Sequence, residues 1–244
     1  CFLFNNLNLK QKIFFLLTYK PYSLHLLQSI SISLMESNSN NITNVSQVED
    51  IRLSQEEKIS LIEGHFRSIM EILQLDMEDQ SLKDTPNRVA KMYVNELFEG
   101  LDPSQAPSIS KFENSFEYRG CILEKNIPFF SLCEHHFVPI KGVAHVAYFA
   151  NEKIIGLSKI NRIVNYISKK PQVQEKLTVE IVDYLKNILE TEDVACVVEA
   201  EHLCVSMRGI KDVKSLTTTA EYSGKFNMDA VKLELLSMIN KGDE

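Results

Sequence analysis

The chain has 244 residues, 44% of them apolar, and a formal net charge of −7. Its length allows one large domain or two small ones, with enough apolar residues for a sizeable core. The acidic balance argues against a general nucleic-acid binder, which needs a basic face to displace counterions from phosphates, but it leaves room for a local basic pocket that takes a small anion.

The first 34 residues differ from the rest. Their longest apolar run, "IFFLL", is far too short to span a bilayer, and no small-residue cleavage site follows it. We take Met35 as the native start and the preceding stretch as upstream or expression-derived sequence. "ESNSNNITNVSQ" is polar and rich in Asn and Ser, so it is expected to be disordered, with Asn41 and Asn44 as unused glycosylation matches.

Order is expected from near Leu53. Ser54 with Glu57 forms a capping box, and Ile59, Ile62, Phe66, Ile69 and Leu73 recur at helical spacing. His65 reads as a partly buried structural histidine of that helix. "KDTPNRVAKMYVNELFEGLDP" predicts a second helix, with Pro86 in the first turn, a stripe of Val89, Met92, Tyr93 and Leu97, and Gly100 at the stop. Arg88 sits in its first turn, where a cation opposes the helix dipole and so needs another partner.

From Ser108 to Ala150 the β-branched and aromatic content predicts strands. "GLSKINRIVNYISKK" returns to helix through Leu157, Ile160, Ile163, Val164 and Ile167. "PQVQEKLTVEIVDYLKNILE" is a second helix, carried by Val173, Leu177, Ile181, Leu185 and Ile188. "DVACVVEAEHLCVSMRG" predicts a last strand in which Val194, Cys196, Val198, Ala200, His202 and Cys204 share one face and Glu199 and Glu201 the other. The order of elements reads as α+β.

The chemistry concentrates in "SLCEHHFVPIKG". Cys133 and His136 form a Cys-x-x-His pair, and Cys204 is the best distant third ligand because His202 marks a polar end of its strand. One His and two Cys with an open fourth position is the catalytic zinc pattern, which brings the pKa of bound water to about 7. His135 and His202 remain to move protons. The bland alternatives stand beside this. Cys133 and Cys204 can be buried thiols, and a structural zinc with His135 as fourth ligand fits the same spacing. Cys121, Cys196 and His145 are given structural roles. The five cysteines are an odd number, a poor disulfide framework, and imply a reducing compartment. Basic groups flank the cluster. Ser158, Lys159 and Arg162 open a helix whose free N–H groups favour an anion, and Arg208 follows Cys204. Their alternative is a solvated face; together they suggest a phosphate-bearing substrate.

Four motifs, "TPNRVAKMYVNELFEGLD", "CEHHFVPIKGVAHVAYF", "GLSKINRIVNYISKKPQVQEKLT" and "EHLCVSMRGIKD…TTTAEYSGKF", together resemble the GTP cyclohydrolase I family, in family order from about Glu56 to Phe226. The one departure, "EYSGKF", loses no chemical group. The resemblance implies hydrolysis of the GTP imidazole ring at C8, release of formate and formation of 7,8-dihydroneopterin triphosphate, on a pathway to folate or tetrahydrobiopterin. It implies Zn²⁺ on Cys133, His136 and Cys204, and proton transfer by His135 and His202. Glu175, with Gln174 beside it, is then the guanine contact, since a carboxylate accepts from N1–H and N2–H₂. Ser158, Lys159, Arg162 and Arg208, with Arg88 as an addition, become triphosphate and ribose contacts.

The fold so implied is the tunnelling fold, an antiparallel sheet with a helix pair on one side. Residues 1–50 are then an extension, 51–105 an N-terminal helical region and 106–244 the catalytic domain. A cytoplasmic homodecamer of two stacked pentamers with sites between subunits is implied too, with no membrane or nucleic-acid partner and the question of a regulatory protein open. Two other classes compete: a non-catalytic zinc-stabilised binding protein, which needs a closed four-ligand site, and another tunnelling-fold enzyme acting on a purine or pterin.

Overall fold

The computed structural model describes residues 53–241. The expectations for residues 1–50, including a start at Met35, lie outside the described residues. The chain divides into two compact units, one ending at Pro86 and one beginning at Asn87. The first contains helix α1, Gln55–Ile72, and here the capping box forms as expected: the Ser54 side chain accepts from the Glu57 N–H while the Glu57 carboxylate accepts from the Ser54 N–H. Its apolar stripe is only partly covered, with Ile69 and Leu73 exposed, and His65 is exposed rather than partly buried.

Helix α2, Thr85–Met92, runs on into a π-helical turn at Tyr93–Leu97. The expected stop at Gly100 is a close approach as well. Its N–H donates to the Lys169 carbonyl at 2.8 Å, and a Cβ there would collide with the Tyr166 carbonyl oxygen. Glycine is required at that contact because it has no side chain to exclude.

The fold is α+β, as the element order predicted. A separate two-stranded sheet pairs β1, Lys111–Glu113, antiparallel with β4, Lys153–Ile155. The main sheet has the order β5-β2-β3-β6-β7. Its strands are β2 (Cys121–Cys133), β3 (Pro139–Phe149), β5 (Pro171–Gln172), β6 (Val194–His202) and β7 (Thr217–Tyr222). All neighbours are antiparallel except the short parallel pairing of β5 with β2. A bulge between Glu124 and Ile127 puts Asn126 at positive φ, and the Asn126 N–H donates to His145 Nδ1 at 3.4 Å. That gives His145 the structural role expected of it.

Two helices cover one face of this sheet: α3, Leu157–Ser168, and α4, Gln174–Leu189. Ile160, Ile163, Val164 and Ile167 from α3 and Leu177, Ile181 and Leu185 from α4 pack on Ile140, Val146, Tyr148, Cys196 and Val198. Leu157 leaves the expected stripe and is 54% exposed, because it is the first residue after the N-cap Gly156. The opposite face is covered as well. Helix α6, Asp229–Asn240, lays Leu235 and Ile239 with Phe226 against Ala147, Ala195 and Val197. Burial on both faces explains why "GVAHVAYFA" is almost continuously apolar instead of alternating.

The strand predicted to be the last is followed by β7 and is shorter than the sequence pattern predicted. β6 ends at His202, and Cys204 falls in a single helical turn, α5, Leu203–Ser206. The reason lies in the neighbouring strands. His202 pairs with Ile140, and the next residue of β3 outward is Pro139, which has no N–H to extend the ladder. On the other side β7 stops pairing at Thr217, opposite Ala200. Backbone groups that lose their strand partners must find others. Here the Met207 N–H closes the turn on the Leu203 carbonyl at 2.9 Å.

Candidate metal and nucleotide site

The site is built where β2 ends, β3 begins, β6 turns into α5 and α4 starts. Cys133 is the last residue of β2 and is buried. The chain reverses immediately after it. The Phe137 N–H donates to the Cys133 carbonyl at 2.8 Å, and the Cys133 N–H donates to the Val138 carbonyl at 2.9 Å. Phe137 takes positive φ to complete the turn, an uncommon position for a bulky residue, and its ring packs on Phe98 with centroids 5.3 Å apart. From the side, the Glu134 N–H donates to the Gln172 carbonyl of β5 at 2.9 Å.

This turn presents both histidines to one sulfur. His135 Nδ1 lies 3.7 Å and His136 Nδ1 3.9 Å from Cys133 Sγ. Among the described residues, Cys133, His136 and Cys204 form the one group of His, Cys, Asp or Glu whose ligand atoms all lie within 4.8 Å of one another. His135 is outside that group. The helical turn α5, not strand parity, brings Cys204 there. Burial, then the neighbouring Cys133 sulfur, push the Cys204 thiol above its ordinary value, with Arg208 acting in the other direction. A cation bound to the Cys204 sulfur would reverse that shift. Two sulfurs and an imidazole suit zinc.

His202 and Glu175 adjoin the cluster. His202 Nε2 is 2.7 Å from Gln174 Oε1. Burial depresses the proton affinity of His202, and the Glu175 carboxylate opposes that shift. Glu175 itself is exposed in the first turn of α4. Gln174 departs from the expected role of guanine contact. It is 1% exposed, and its amide is spent inside the protein on His202 and on the Val198 and Thr217 carbonyls. The burial of Gln174 follows from its place on the core side of α4, which a sequence reading of one polar residue beside another does not reveal.

The cations divide into two groups. Arg208 is near enough to Cys204 to influence its thiol. Ser158, Lys159 and Arg162 lie in the first half of α3. Helix α3 meets the Cys133 loop with its other end: the Ser131 hydroxyl donates to the Lys170 carbonyl at 3.3 Å. At its start, Asn161 Nδ2 donates to Glu124 on β2 at 3.3 Å. Twelve helical residues separate the two ends, about 18 Å. Lys159 donates to the Ser108 carbonyl at 2.8 Å, which leaves further N–H donors on its ammonium. Arg88 lies on the exposed side of the first turn of α2. An apolar cavity of about 610 Å³, bordered by Tyr93, Phe130, Phe137 and Lys169, contains none of the cluster residues.

A family model described as GTP cyclohydrolase I matches residues 62–240. The chain belongs to the GTP cyclohydrolase I family. It is therefore an enzyme, and the resemblance carried by the four motifs is borne out. It is 50% identical over 201 residues to GTP cyclohydrolase 1 of Flavobacterium johnsoniae, covering 82% of this chain and 90% of that relative. The protein of the same name from Aeromonas salmonicida is 51% identical over 174 residues, 71% of this chain and 80% of its own length. That from Actinobacillus pleuropneumoniae is 47% identical over 181 residues, 74% and 83%. Among the described residues of this family member, no helix is long and apolar enough to cross a membrane.

Proposed function

We propose that the chain is a cytoplasmic, zinc-dependent GTP cyclohydrolase that opens the imidazole ring of GTP at C8, releases formate and forms 7,8-dihydroneopterin triphosphate, the first step of pterin biosynthesis. The observation that carries the reading is the meeting of Cys133, His136 and Cys204 within 4.8 Å, in a member of a family whose relatives are named for this activity. When bound, the ion supplies Lewis-acid activation of water. The remaining work falls to side chains. The Glu175 carboxylate accepts from guanine N1–H and N2–H₂, which favours guanine over adenine. His135 and His202 receive and return protons at the reacting carbon and the ring nitrogens. Arg208 binds the nucleotide beside Cys204.

Ser158, Lys159 and Arg162 bind triphosphate in a neighbouring subunit's site. This assignment is supported by their place in the first half of α3, about 9–15 Å along the helix axis from the end that meets the strand leading to Cys133. It fits a homodecamer in which sites lie between subunits and the sheet with its helix pair is a tunnelling fold, residues 106–244 forming the catalytic domain. The test is direct. Zinc-loaded protein incubated with GTP should release formate and give a product that fluoresces as a pterin after oxidation. Tight zinc binding without formate release would leave a zinc-stabilised binding protein as the better reading.

A further inference from the structure

Gln174 is a buried side chain that the chemistry above does not use, and its hydrogen bonds are unusually complete. Its Nε2 donates to the Val198 carbonyl of β6 at 3.1 Å and to the Thr217 carbonyl of β7 at 2.8 Å. Both amide hydrogens are therefore taken by carbonyls, which can only accept. That assigns the amide end without ambiguity: the other atom, 2.7 Å from His202 Nε2, is the oxygen Oε1. An amide oxygen has no hydrogen to give, so the proton of that bond belongs to the histidine. At 1% exposure no solvent competes for the place.

We infer that Gln174 is a positioning residue that fixes His202 as the Nε2–H tautomer and turns Nδ1, with its lone pair, toward the reacting face. The role rests on the functional reading of His202 as a proton-transfer group. With Nε2–H given to the Gln174 oxygen, Nδ1 is the ring nitrogen left with a lone pair. The orientation is set by the sheet. Gln174 is locked to two adjacent strands, and the ring it holds stands at the end of one of them, two residues before Cys204. A neutral acceptor fixes direction without adding a second negative charge beside Glu175.

Two variants separate this role from a merely structural one. Gln174→Leu and Gln174→Glu both lose the donors to Val198 and Thr217, but only Glu keeps an acceptor for Nε2–H. In zinc-loaded protein labelled with ¹⁵N-histidine, solid-state NMR distinguishes protonated from unprotonated ring nitrogens. The six histidines give few signals, and His202 is assigned by its loss in His202→Asn. With the ring neutral, wild type and Gln174→Glu should show Nε2–H and a bare Nδ1, and Gln174→Leu should show mixed tautomers. Gln174→Leu should retain its zinc and its KM for GTP to within about twofold, while kcat falls about tenfold to a hundredfold. A wild-type spectrum with the proton on Nδ1 overturns the inference, even if neither variant folds. So does an unmixed Nε2–H signal in Gln174→Leu. The spectrum requires no turnover, so absence of GTP hydrolysis counts against the functional reading alone.

Discussion

If each site draws its metal end from one subunit and the start of α3 from another, two differently disabled chains should repair each other. One chain carries Cys204→Ala and lacks the third metal ligand. The other carries Lys159→Ala with Arg162→Ala and lacks the triphosphate cations. A hydrogen bond to a charged group is worth about 1.5–3 kcal/mol, so losing two cations should lower GTP turnover about a hundredfold or more. Each variant alone is then nearly inactive. In oligomers assembled at random from equal amounts of both, a site takes its metal end from an intact chain about half the time and its cationic end about half the time. About a quarter of sites are whole, and mixed oligomers should recover about a quarter of wild-type formate release. The assay is formate production by co-expressed chains, purified through two different tags and checked for size by light scattering. The place of Lys159 and Arg162 on α3, about 14 and 9 Å along the axis from its C-terminal end, is what motivates this outcome. If mixed oligomers of wild-type size show no recovery, every site is built from one chain, and Lys159 and Arg162 do not complete a neighbour's site.

Cys204→Ala should lose zinc and activity together, since two protein ligands hold the ion poorly, whereas His135→Ala and His202→Ala should keep zinc and lose turnover; elemental analysis with formate release tests both. Phe226→Ala should destabilise the protein by about 3–5 kcal/mol in denaturant titration, because the ring is fully buried between α6 and the sheet and packs 4.9 Å from Phe149. An undiminished midpoint would mean that α6 does not stabilise that face. His202 is held neutral by burial, with a folded pKa below its unfolded value. As pH falls below about 6.5 the unfolded chain takes up this proton first, so stability drops and continues to drop until pH has passed the folded pKa. Metal-free His202→Asn should lack that part of the loss between about pH 7 and pH 5; an identical profile would show that other groups cause it.

Two members of the candidate metal cluster were legible because they are close in sequence. Cys133 and His136 are three residues apart, and a cluster of thiol and imidazoles is rarely left without a function. The helix pair α3 and α4 was legible because a 3.6-residue apolar period has few other meanings. Parity along "VACVVEAEHLC" grouped His202 with Cys204 correctly, but for a different reason from the one that operates. The strand ends at His202 where its neighbours stop pairing, and a helical turn carries Cys204 the rest of the way. Strand pairing decides that, and it lies in residues outside the motif, Ile140 on one side and Thr217 on the other.

Three further features depended on tertiary structure alone. Helix α6 has only a weak amphipathic signature, so the apolar surface waiting on the outer face of the sheet, rather than its own pattern, identifies its buried side. Gln174 and Glu175 are adjacent polar residues, yet one is buried under His202 and the other exposed beside it, because successive helical positions point about 100° apart and the sheet lies on one side only. Ser158 and Lys159 stand near the start of α3 and Arg162 in its middle, while the residues just after its C-terminal end meet the strand leading to the Cys133 loop. Residue types and spacing determined which groups can bind metal, move protons and hold phosphate. Which of them meet was decided by the pairing of the strands and the length of one helix, since side-chain chemistry reaches only a few ångströms while the backbone sets distances over tens.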